Sequence, residues 1–79
     1  MGQKQRKRFV ISFATTHGAM HFEQLAKAAG MPGRLIPVPP QVTAGCGMAW
    51  AAAVEDEQRL RAWLQAEDVL FQEALVLVD

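Results

Sequence analysis

Seventy-nine residues, 51% of them hydrophobic, form one domain near the smallest size that a single core holds without staples, and this composition argues against disorder. Eight basic residues balance eight acidic ones, so no global field points to nucleic acid or an anionic membrane, and a single cysteine excludes a disulfide-stapled secreted fold. No apolar run approaches a membrane span and the N-terminus has no signal-like hydrophobic stretch, so a reducing, cytoplasmic setting with a free thiol is expected.

Lys4, Arg6, Lys7 and Arg8 crowd the start of the chain. Tyrosine is absent and bases do not interleave with aromatics, so residues 1–8 read as a solvated basic tail, not a nucleic-acid arm. Residues 9–79 then make the domain. "FVISFA" at 9–14 predicts a strand with Phe9, Ile11 and Phe13 on one face. Thr15 or Thr16 can cap a helix in which Phe22, Leu25, Ala26 and Ala29 form the buried stripe. Gly30 suits the residue just past that helix, and Pro32 prevents its continuation. "RLIPVPP" at 34–40 is extended, but Pro37 and Pro39 cannot donate ladder bonds, which assigns it to a sheet edge.

"GMAWAAAV" at 47–54 predicts a third strand, Asp56 can cap a second helix with Leu60, Trp63 and Leu64 inward, and "LFQEALVLV" at 70–78 predicts a last strand. The order βαββαβ predicts an α+β, ferredoxin-like sandwich: a four-stranded antiparallel sheet with two helices on one face. Its strand order is four, one, three, two, so the second strand lies at an edge, which independently suits its prolines. Strands one and two then end at the same end of the sheet. That brings the loop holding the lone cysteine to the start of the first helix and leaves Arg34 at the opposite end.

Cys46 stands between Gly45 and Gly47. Glycines strip side chains from its flanks and let the backbone turn tightly, so either the thiol is meant to be reached or the glycines serve a turn. A helix N-terminus favours an anionic sulfur, which is the nucleophilic form, and His17 with the hydroxyls of Thr15 and Thr16 would act in the same direction. The competing reading is a cysteine acting as a small hydrophobe. His17 and His21 lie one helical turn apart and, with Cys46, form a weaker candidate metal set, although no metal is expected on this pattern alone. Met20, Met31 and Met48 read as core or rim filler, and Trp50 and Trp63 as core aromatics. There is no Walker loop, CxxC pair, Ser–His–Asp arrangement or dinucleotide fingerprint, so no cofactor is expected.

"ISFATTHGAM", "PGRLIPVP" and "AGCGMAW", in this order and at this spacing, resemble the Se/S carrier protein-like family over roughly residues 8 to 75. The resemblance implies a bacterial carrier, and not a turnover enzyme, that holds sulfur or selenium on Cys46 as a persulfide-type adduct. It further implies a donor such as a cysteine desulfurase and an acceptor protein. Gly45 and Gly47 and the Thr15, Thr16 and His17 corner match the family's segments as supports of that site. One position departs: relatives often carry arginine where this chain has Pro40. The alternative function is a non-catalytic interaction or regulatory module with a structural cysteine, able to form a homodimer through an edge strand.

Overall fold

The computed structural model describes residues 7–42 and 45–78, so the first six residues of the basic tail lie outside the described residues. Strand β1 (Lys7–Ser12) has the alternation that a strand buried on both faces requires: Phe9 and Ile11 point one way, Val10 and Ser12 the other, and all four are fully buried. It lies between β3 (Met48–Ala53) and β4 (Glu73–Val78), both antiparallel to it, with Val10 opposite Ala51 on one side and Leu75 on the other. Strand β2 (Arg34–Pro37) pairs antiparallel with the far side of β3 and ends the sheet. The order β2-β3-β1-β4 is the expected four-one-three-two order read from the other edge.

Strand β1 starts and stops two residues earlier than the sequence suggests. Lys7 and Arg8 find partners in Val78 and Leu77 of β4, while Phe13 and Ala14 are already turning toward the first helix. Strand β4 likewise begins at Glu73 and not at Leu70; the preceding link is held by the Gln72 N–H donating to the Ser12 carbonyl at 2.7 Å.

Helix α1 (Thr16–Ala28) begins at a Thr15 cap, whose Oγ1 accepts the Gly18 N–H at 3.0 Å. It ends in a Schellman arrangement: Gly30 at φ +71° donates to the Lys27 carbonyl, and the Met31 N–H reaches the Ala26 carbonyl at 2.8 Å. Ala19, Phe22 and Ala26 form its buried stripe. Leu25 is 37% exposed and Ala29 is exposed, so the inward face is rotated slightly from the expected one. A single 3-10 turn (Val54–Asp56) introduces α2 (Glu57–Ala66). That turn places Asp56 at the cap position without a side-chain bond, because its backbone is not in the extended conformation a capping side chain needs.

Both helices pack on the Phe9/Ile11 face, where Phe13, Phe22, Trp50, Leu60 and Leu64 complete the main core. Phe22 is its hub. Its ring centroid lies 4.8 Å from Phe13, 5.4 Å from Trp50 and 5.5 Å from the half-buried Trp63, each in a tilted or edge-on geometry contributing about 0.5–1.5 kcal/mol beyond burial. The opposite face carries a second cluster of Val10, Val42, Ala49 and Leu77, bordered by Ile36, Val38 and Leu75. Val42 comes from the connection after β2, which folds back over the sheet through a turn in which the Val42 N–H donates to the Pro39 carbonyl at 3.0 Å. Pro40 is exposed on that turn.

Candidate functional site

The thiol turn is closed at its base by the Val38 N–H donating to the Gly47 carbonyl at 2.9 Å, one step beyond the β2–β3 ladder. Its two glycines do different work. Gly47 has φ +76°, a left-handed conformation that costs most residues about 1–2 kcal/mol, and open space surrounds it. Gly45 instead lies flush against the main chain of Ala14, where a side chain would run into the Ala14 carbonyl. Ala14 immediately precedes the Thr15 cap, so the turn and the start of α1 meet at one end of the sheet, as the topology predicts. Arg34 is at the other end: it lies opposite Ala51, whereas Pro37 lies opposite Met48.

Between the glycines, Cys46 is half-buried and packs against the helix-side core. Its sulfur makes two contacts with the main chain of a single residue. The Met48 N–H donates to Sγ at 3.3 Å, and the thiol donates to the Met48 carbonyl at 3.2 Å. The pair has a chemical asymmetry. An anionic sulfur keeps the amide bond and strengthens it, whereas the carbonyl bond exists only while the sulfur carries a proton. Among the described residues Sγ has no hydrogen bond to Thr15, Thr16 or His17.

Those three residues are all exposed. The Thr15 oxygen is committed as acceptor to the Gly18 N–H, which leaves its proton available, and Thr16 opens the helix. His17 stacks with His21, ring centroids 6.5 Å apart and planes 4° from parallel. Both border a cleft of about 460 Å³ between α1 and the Glu67–Leu70 link. The sequence brings His17 to the right end of the molecule, but its ring is engaged with His21 and this cleft. Cys46, His17 and His21 do not assemble: no group of three or more His, Cys, Asp or Glu among the described residues could hold a metal ion.

Sequence reasoning missed two features. Met48 reads as filler in the sequence, and while its side chain does pack against the core, its amide and carbonyl are the sulfur's partners. The signal was present in Cys-Gly-Met, where a left-handed middle glycine folds the amide two residues on back to the sulfur. The second is the apolar surface near the start of α1. Leu70 is 87% exposed and Phe71 43%, and both line a hollow with Phe13, Ala14, Thr15 and Gly18. The signal was an apolar pair that a strand reading absorbed.

The family model described as Putative Se/S carrier protein-like matches residues 8–75. This chain belongs to that family. The matched span runs from the second residue of β1 to the middle of β4 and includes both halves of the corner where the Gly45–Gly47 turn meets the α1 cap. No curated protein and no solved structure matches the chain. Among the described residues no helix is long and apolar enough to cross a membrane.

Proposed function

We propose that this Se/S carrier-like protein accepts sulfur or selenium on Cys46 and passes it to an acceptor protein. The observation that carries the reading is the Met48 N–H aimed at Sγ in a turn whose flanking positions bear no side chains. In the sulfur case, the Cys46 thiolate attacks the outer sulfur of a donor persulfide. The donor's S–S bond breaks, its thiolate leaves with the electron pair, and a new S–S bond forms at Sγ. One S–S bond replaces another, so no external oxidant or reductant is consumed. Delivery to the acceptor is the same exchange, with Cys46 as the leaving thiolate.

Gly45 and Gly47 shape the turn, and Thr15, Thr16 and the first amides of α1 are the donors at that end available to the outer sulfur. His17 lies on the same helix start, beside the cleft that a partner would approach. The exposed Leu70 and Phe71 give a donor or acceptor apolar surface at the same end of the sheet. Incubation with a cysteine desulfurase and cysteine should raise the mass of the wild-type protein by one sulfur and leave Cys46→Ser unchanged. An unmodified wild type, or an equal adduct on Cys46→Ser, would refute the proposal. Leu70→Asp should slow loading while leaving the reaction of Cys46 with a small alkylating reagent at its wild-type rate.

A further inference from the structure

We infer that the outer face of α1 binds a copper(I) ion between His17, Met20 and His21. This site is separate from Cys46 and does not rest on the carrier reading. Positions 17, 20, 21 and 24 recur at i, i+3, i+4 and i+7, so they share one helix face, opposite the buried Ala19, Phe22 and Ala26. All four are exposed and together they line a shallow hollow of about 170 Å³. The imidazoles face one another across it, 6.5 Å between centroids and 4° from parallel. Two nitrogens that each bind one ion at about 2.0–2.1 Å sit roughly 3–4 Å apart, and side-chain rotation on a single exposed helix closes that gap.

Met20 supplies the second, independent observation. A large apolar side chain 57% exposed, it packs in neither hydrophobic cluster, yet it lines the same hollow as the two rings. Two imidazoles and a thioether form a soft, uncharged donor set, which suits copper(I) over zinc, magnesium or calcium. The electrostatics select in the same direction. The first turn of α1 contains no acid, and the positive end of the helix opposes a divalent ion more strongly than a monovalent one. The nearest acid on the helix, Glu23, is paired with Lys27 at 3.4 Å. Glu67 and Asp68, on the far wall of the cleft that both histidines border, attract a cation of either valence and so do not set this selectivity.

The test is titration with copper(I) under reductant against a colorimetric copper(I) chelator, using the full chain with Cys46→Ser so that the thiol does not compete. The expected result is one copper per chain, weakened at least about tenfold by His17→Ala or His21→Ala. Met20→Leu, which keeps size and helix propensity, should weaken copper(I) about tenfold and leave copper(II) binding, detected by its nitrogen-coupled paramagnetic resonance signal, unchanged. All three positions are exposed, and circular dichroism checks that each variant is folded. Loss of all copper binding with Cys46→Ser, indifference to both histidine changes, or copper(I) affinity unaltered in Met20→Leu would each overturn the site.

Discussion

Two glycine-bearing turns flank β2, and both use a backbone conformation that side chains resist, but for different reasons. At Gly33, φ is +116°, and an added Cβ would overlap the Trp50 indole nitrogen and come within 2.6 Å of the Ala51 carbonyl. That indole N–H is itself held at 2.9 Å by the Pro32 carbonyl, so backbone and core are locked together there. At Gly47 the backbone is equally left-handed, yet nothing lies within 4 Å of where a Cβ would stand. The turn at the far end of the sheet is determined by packing, whereas the turn bearing the thiol is shaped by its own dihedral angles, by the Val38–Gly47 and Cys46–Met48 bonds and by the approach of Gly45 to Ala14.

Alanine substitutions separate these causes. Gly33→Ala should be the most damaging, combining dihedral strain with overlap against Trp50 for a loss above about 3 kcal/mol in urea unfolding. If it cost no more than Gly47→Ala, packing would not distinguish the two turns. Gly45→Ala should cost about 1–3 kcal/mol, since the turn must lift from the Ala14 main chain, and it should also change the alkylation rate of Cys46. Gly47→Ala, strained in φ alone, should cost about 1–2 kcal/mol, and Gly47→Asn less, because asparagine tolerates this region. Thr15→Ala, which removes the cap bond to Gly18 and leaves both turns intact, should cost about 1 kcal/mol by thermal denaturation.

The element order, the strand order and the shared end of the Cys46 turn and α1 were legible because they follow from periodicity, prolines and topology. The α1 boundaries were legible too: Thr15 and Gly30 have few other uses in that context. What was hidden depends on tertiary placement. Lys7 and Arg8 look like tail residues until β4 offers them partners, and Leu70 and Phe71 look like strand until the Gln72–Ser12 bond shows where pairing begins. The fold of the Pro39–Val42 segment over the second sheet face carries no periodic signal, because only Pro39 and Val42 at its two ends are buried. At the site, residue types pointed to Cys46 and its flanking glycines, but the partners of the sulfur are main-chain groups, which every residue possesses and no composition reveals.

The bond between Val38 and Gly47 has a kinetic consequence. It lies just outside the β2–β3 ladder, so it can open while all four strands stay paired. The Gly47 carbonyl shares its peptide unit with the Met48 N–H that donates to Sγ, so a movement of this unit that releases the sulfur also strains the Val38 bond. Amide exchange at Val38 should therefore time the excursions of the thiol from its resting place, faster than global unfolding and slower than a free loop.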